Sequence, residues 1–117
     1  VSRPAAGTIV LVDWRVGALP HEPSKIRPSV VVEDSELFPD AYPNTLVVPL
    51  TRDAALAFPA FAERLEPTPR NGAEAVSWAL GHHVTSVSLK RVQITGSSIT
   101  PGQLASLRSR IALALGI

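Results

Sequence analysis

At 117 residues the chain is one domain, long enough for a real hydrophobic core and too short for two. Hydrophobic residues make up 45% but Phe, Tyr and Trp only 5%, so the core rests on Val, Leu, Ile and Ala, the packing of a compact sheet. With no cysteine, a disulfide scaffold, a thiolate metal site and a thiol nucleophile are excluded, and a net charge of +1 does not by itself point to a polyanion partner.

No apolar run approaches the ~20 residues that span a bilayer, and no signal-peptide pattern is present, so a soluble cytoplasmic protein without membrane contact is expected. The charge is unevenly spread. Residues 1–74 hold all ten acids against seven Lys or Arg, and residues 75–117 hold four cations and no acid. The C-terminal region is therefore the better candidate for touching a phosphate backbone, provided its charges share a face. A solvated helix face plus a basic turn explains the same excess.

In chain order, Val1 to Ala6 is a loose lead-in. Gly7 to Asp13 is a continuous β-branched run and reads as the first strand. Trp14 follows, and the loop from Arg15 to Ile26 carries Gly17, Pro20 and Pro23, long enough to suggest a functional role. Pro28 to Glu33 is the second strand, its proline tolerated at the start, with Arg27 at its mouth. After a loop from Asp34 to Asn44, Thr45 to Leu50 is the third strand and ends in Thr51 and Arg52. Arg52 to Phe58 reads as a short helix stopped by Pro59, and Phe61 to Leu65 as an edge strand.

Pro67, Pro69 and Asn71-Gly72 mark a turn. Val76 to Ser88 reads as a strand that bends or bulges at Gly81, and Lys90 to Ile94 as a last strand leading into a turn, Thr95 to Ser98. The final helix is signalled by Thr100 as N-cap, Pro101 at the first position and Gln103 closing a capping box. Leu104, Leu107, Ile111 and Ala114 or Leu115 repeat at helical spacing before Gly116, and Arg108 and Arg110 flank the other face. The sum is an α+β, mainly β fold of five to seven short strands, forming a small, strongly bent sheet or partly open barrel, with a C-terminal amphipathic helix. The whole chain, 1–117, forms that one domain.

Several chemistries drop out. No glycine loop fits a nucleotide phosphate. His82 and His83 are adjacent, and on a strand they point to opposite faces; with His21 the remaining histidine, no metal site or cofactor is expected. Acid–base chemistry on a phosphate survives. Metal-free RNA cleavage needs a base for the 2′-hydroxyl, an acid for the departing 5′-oxygen and a cation for the charge on phosphorus. Arg27 can supply the cation, Thr51 a hydroxyl for phosphate or sugar, and Glu22 or a histidine the proton transfer. The plain alternatives are a surface arginine, half-buried histidines, a solvated glutamate, and Trp14 and Trp78 as core pieces rather than base-stacking platforms.

The ordered motifs Gly7-Thr8-Ile9-Val10-Leu11-Val12-Asp13, His21-Glu22, Arg27-Pro28-Ser29-Val30-Val31-Val32 and Val47-Val48-Pro49-Leu50-Thr51 resemble the first half of the MazF/PemK toxins. Arg64 to Gly72, Val84-Thr85-Ser86-Val87 and Lys90-Arg91-Val92 resemble the second half. The resemblance implies an SH3-like, partly open barrel, shared with CcdB toxins, and a homodimer. It also implies metal-independent cleavage of single-stranded RNA to 2′,3′-cyclic phosphate and 5′-hydroxyl ends. A cognate antitoxin would hold it inactive through a disordered, acidic tail. By position, the family's catalytic residues match Arg27, Thr51 and Glu22, and His21, Lys25, Arg52, His82 and His83 are the candidate RNA contacts. His82-His83 stands where the family usually has an acid and a glutamine, a change that alters base preference, adds a proton carrier or marks lost activity. The competing expectations are a non-catalytic, CcdB-like toxin acting on a protein, and an inactive relative that only binds RNA.

Overall fold

The computed structural model describes residues 3–15 and 25–117. Among the described residues, seven antiparallel strands, β1 (Thr8–Asp13), β2 (Ile26–Val31), β3 (Asn44–Thr51), β4 (Ala62–Leu65), β5 (Ser77–Leu80), β6 (Thr85–Ser88) and β7 (Val92–Ser98), precede one α-helix, α1 (Pro101–Leu115). They run in the order β4-β5-β3-β2-β1-β7, with β6 also on β3, and the sheet does not close on itself. β4 is an edge strand, in keeping with its charged centre.

The apolar runs of β1, β2 and β3 are continuous because this sheet buries both faces. Ile9, Val30, Val48 and Leu50 point one way, into a core with Leu65, Ala79, Ile99 and Leu107. Val10, Val12, Val31 and Val47 alternate to the other face and cluster with Val87, Val92 and Trp14. Helix α1 seals the first face. Thr100 and Gln103 form the capping box, Pro101 opens the helix, and Gly116 closes it at φ +77°. Leu107 is wholly buried, with Leu104 and Ile111 packed beside it.

Arg108 and Arg110 do not form a solvated outer face. Arg108 donates to the carbonyls of Val32 (3.0 Å) and Glu33 (2.7 Å), and Arg110 to Glu63 (2.9 Å), so both clamp the helix to the sheet. The lead-in is likewise anchored: Arg3 and Glu33 form a buried ion pair at 2.8 Å, and Glu33 also accepts from Thr45 Oγ1 and the Leu46 amide. Losing one partner of such a pair strands a buried charge.

Five local expectations change, the first being that Lys90 and Arg91 lie on a 3-10 turn, Leu89–Arg91, ahead of β7 and not on the last strand. β2 begins at Ile26, so Pro28 lies inside the strand rather than at its start. The segment after β3 gives only a 3-10 turn, Ala54–Leu56, capped by Asp53. The run from Val76 to Ser88 breaks into β5, a 3-10 turn Gly81–His83 and β6. A Cβ at Gly81 would stand 2.7 Å from the Phe61 carbonyl, so glycine is what lets the chain pass under that strand end. Finally, Thr95 to Ser98 is not a turn but belongs to β7, bulged where Thr8 pairs with Ser98 and Val10 already with Ile94. Thr95 Oγ1 donates to the Ile9 carbonyl at 2.6 Å and accepts from Ser97 N–H, which fixes the extra residues in place.

Leu107→Ala removes a wholly buried side chain and is expected to cost about 3 kcal/mol. Leu113→Ala, at a site 59% exposed, should stay within about 0.5 kcal/mol. Urea unfolding of both variants tests which helix face is anchored.

Candidate active site

Backbone directions in β2 explain where a cavity opens. Val32 N–H donates to Leu46 and Val31 accepts from Gly7, so even-numbered residues of β2 face β3 and odd-numbered ones face β1. The β2–β3 ladder runs Val31↔Val47, Val30↔Val48, Ser29↔Pro49 and stops. The next bond toward β3 would come from Pro28, which has no N–H. On the other side β2 stays paired with β1 through Arg27↔Val12 and Ile26↔Asp13. Continuing the β2–β3 register past the break puts Arg27 across from Thr51, at the two lips of the gap. Pro49 costs nothing either, because its position faces the interval where β3 changes partner from β6 to β5.

A cavity of about 460 Å³ occupies this region and is lined by Arg27, Thr51 and Arg52 together. Ile9, Leu11, Pro28, Leu50 and Leu65 supply its apolar floor, and Asn71, Ser77, Thr95 and Ser97 its polar rim. Arg27 is half-buried, and its Nε is shielded from solvent without a hydrogen-bond partner among the described residues. Such a donor is costly to leave unpaired unless a ligand completes it. Ser29 Oγ, two residues along, and Trp14 Nε1 share that condition. Thr51 is buried, and its oxygen accepts from the Asp53 N–H at 3.0 Å, which orients the hydroxyl and leaves its proton to donate. Arg52 is exposed and loosely paired with Glu74 at 3.7 Å.

The rim is rigid. Asn71 is buried, its Oδ1 accepts from the Thr68 and Ala73 amides, and its Nδ2 donates to the Glu66 carbonyl. Gly72 follows at φ +65°, where a Cβ would sit 2.8 Å from Ser97 Oγ. The Asn-Gly pair was legible as a turn; that the turn walls a cavity was not. Thr95 and Ser97 arrive by the β7 bulge, which no sequence pattern announced.

The other expected site residues fall elsewhere. His21 and Glu22 lie outside the described residues. Lys25 is exposed at the entry to β2. His82 and His83 do not line the cavity; they sit on the 3-10 turn against α1, with the Phe61 ring 5.5 Å from His82. The reason for setting them aside as chelators also changes, since on a 3-10 turn their rings are 4.4 Å apart rather than on opposite strand faces. No group of three or more metal-ligating side chains occurs among the described residues. Trp78 is half-buried on β5, opposite Thr51 in the ladder.

A family profile described as "PemK-like, MazF-like toxin of type II toxin-antitoxin system" matches residues 5–115. The fold is that of MazF from Deinococcus radiodurans, with a TM-score of 0.77 at 23% identity over 97% of each chain. A MazE–MazF complex from the same organism aligns with a TM-score of 0.71 at 22% identity, covering 97% of this chain and 96% of that one. An endoribonuclease bound to its cognate antitoxin from a mycobacterial species aligns at 0.65 and 14% identity, covering 97% and 94%. No protein of curated function matches the sequence. Among the described residues, no helix is long and apolar enough to cross a membrane.

Desolvation, followed by the neighbouring His82, holds the His83 pKa below its ordinary 6.5. The folded chain therefore binds fewer protons than the unfolded one as pH falls past about 6.5, and stability present above that pH is lost below it. His82→Ala should move the His83 titration up only a fraction of the way to the ordinary value, because burial is the larger cause. Imidazole NMR titration reads this directly, and an ordinary His83 titration in the parent protein contradicts it.

Proposed function

The chain belongs to the PemK-like, MazF-like toxin family of type II toxin-antitoxin systems, and from that premise we propose that it is a metal-independent endoribonuclease acting on single-stranded RNA. The observation that carries this reading is the meeting of Arg27 and Thr51 at one cavity, with a buried Arg27 donor that has no partner among the described residues. In the proposed reaction the 2′-oxygen attacks the adjacent phosphorus and the bond to the 5′-oxygen breaks, giving a 2′,3′-cyclic phosphate and a 5′-hydroxyl. The Arg27 guanidinium meets the charge gathering on the non-bridging oxygens with a planar pair of donors. Thr51, held by Asp53, donates to phosphate or ribose. Glu22, five residues before Arg27, takes the proton from the 2′-hydroxyl, and solvent water protonates the departing 5′-oxygen; His83 is set apart from these roles because it does not line the cavity.

The working form in this proposal is a cytoplasmic homodimer, silenced by a cognate antitoxin whose acidic, disordered tail competes with RNA for the arginine-lined cavity. The mycobacterial endoribonuclease and the Deinococcus MazF, both of which occur with antitoxins, support that partner class.

Arg27→Ala should lower cleavage about 10²–10³-fold with an unchanged fold, because one charge-stabilising donor is lost from the transition state. Thr51→Ala should fall in the same direction. Cleavage is followed on single-stranded RNA in chelator, with end-group analysis and circular dichroism alongside. An undiminished Arg27→Ala enzyme overturns the assignment, and RNA left whole by the parent protein favours a protein-binding toxin instead.

A further inference from the structure

The four cations of residues 75–117 divide in two. Arg108 and Arg110 are used to hold α1 against the sheet. Lys90 and Arg91 are exposed on the 3-10 turn Leu89–Arg91, whose start is capped by Ser88 Oγ accepting from the Lys90 amide. Both line a second cavity, of about 270 Å³, whose other walls include Leu11, Asp13 and Ile26.

Leu11 belongs to both cavities, so they adjoin across a single side chain. The sheet register gives their spacing. Val12 pairs with Arg27 on one side and with Val92 on the other. Arg27 and the chain next to Arg91 are therefore two strand spacings apart, about 10 Å. A stacked nucleic-acid strand covers that in about three phosphates, and an extended one in fewer.

The lining of the second cavity carries Lys90 and Arg91 against Asp13, a net of +1, with Arg15 and Lys25 outside it. Asp13 is the one acid in its lining, and Arg15 takes its carboxylate through Nε and a terminal nitrogen, each at 2.9 Å. Lys25 stands beside Ile26 at the same end of β2. Asp13, Arg15, Lys25, Lys90 and Arg91 together carry four positive charges against one negative. Apolar Leu11 and half-exposed Ile26 give a base or ribose a surface between the two cationic ends.

We propose that the Lys90–Arg91 cavity binds the phosphate of a nucleotide flanking the scissile linkage, in the same single-stranded RNA that Arg27 and Thr51 engage. The proposal rests on the nuclease reading for the identity of the polymer. It assigns Lys90 and Arg91 to binding and register, and leaves the bond-breaking step to the first cavity.

The test uses a fluorescent 2′-O-methyl oligoribonucleotide, which lacks the attacking hydroxyl, so binding is read without cleavage. Affinity is measured by anisotropy across a salt series for the parent protein, for Lys90→Gln/Arg91→Gln, and for Arg64→Gln. Arg64 is an exposed cation that pairs with Glu66 and lines neither cavity. The double variant should bind about tenfold more weakly at low salt. Its slope of log affinity against log salt should shrink by about 0.7 for the one lost phosphate. Arg64→Gln should match the parent protein. Equal affinity and slope in the double variant, or an equal loss in Arg64→Gln, overturns the proposal. Unmodified RNA is assayed separately: RNA left whole, with the slope still dependent on Lys90 and Arg91, sinks the nuclease reading and keeps the phosphate site. A parent protein that binds no RNA removes both.

Discussion

Pro28 places a missing N–H on the side of β2 that faces β3, and the two central strands consequently separate just beyond the Ser29↔Pro49 pair. The opening between Arg27 and Thr51 follows from that early end to the ladder. On its other edge β2 is still paired with β1, so Arg27 is held by regular sheet while its neighbour across the gap is withdrawn. A residue with a donor at position 28 would be able to extend the pairing and narrow the opening. The proline thus opens the rim of a stable sheet beside the Asn71-Gly72 turn, and leaves a permanent cation and a hydroxyl on rigid strands.

The rest of the molecule holds those strands still. Both faces of the sheet are buried, one under α1 and the other by its own twist around Val10, Val12, Val31, Val47 and Val87. Several charged side chains serve this frame rather than a ligand. Arg108 closes the carbonyls beyond β2, Arg110 binds Glu63, and Arg3 with Glu33 ties the first described residues to the start of β3. The cations that face cavities are a different set, with Arg27 and Arg52 at one and Lys90 and Arg91 at its neighbour. Net charge near zero conceals this division between structural and cavity-lining cations.

Preorganisation is the common feature of the first cavity's polar groups. Thr51 is oriented by Asp53, Asn71 by three backbone partners, and Thr95 by the Ile9 carbonyl and Ser97. Of these, the Thr51 hydroxyl keeps its proton to donate, whereas Thr95 spends its own on the Ile9 carbonyl and serves to hold the rim in place. His82 and His83 lie against α1 and Phe61 and not at the arginine cavity.

What could be read from residues alone was whatever local chemistry dictates. The β-branched runs gave three central strands, Thr100-Pro101 and Gln103 gave the start of α1, Asn71-Gly72 gave a turn, and the pairing of Arg27 with Thr51 as candidates rested on position and side-chain chemistry. Partner choice was not legible, because it depends on what lies opposite in space. Thr95 to Ser98 has a turn's composition, yet the Ile9 carbonyl offered Thr95 a bond that absorbed the extra residues as a bulge. Arg108 and Arg110 occupy helix positions that a periodicity argument assigns to solvent, and only the carbonyls ending β2 and the carboxylate on β4 drew them inward. His82 and His83 follow Gly81 into a 3-10 turn, at a point where a Cβ would meet the Phe61 carbonyl. Sequence set the propensities and the chemical inventory; which donor met which acceptor was decided by long-range packing, where a single available partner outweighs a local preference of a few tenths of a kcal/mol.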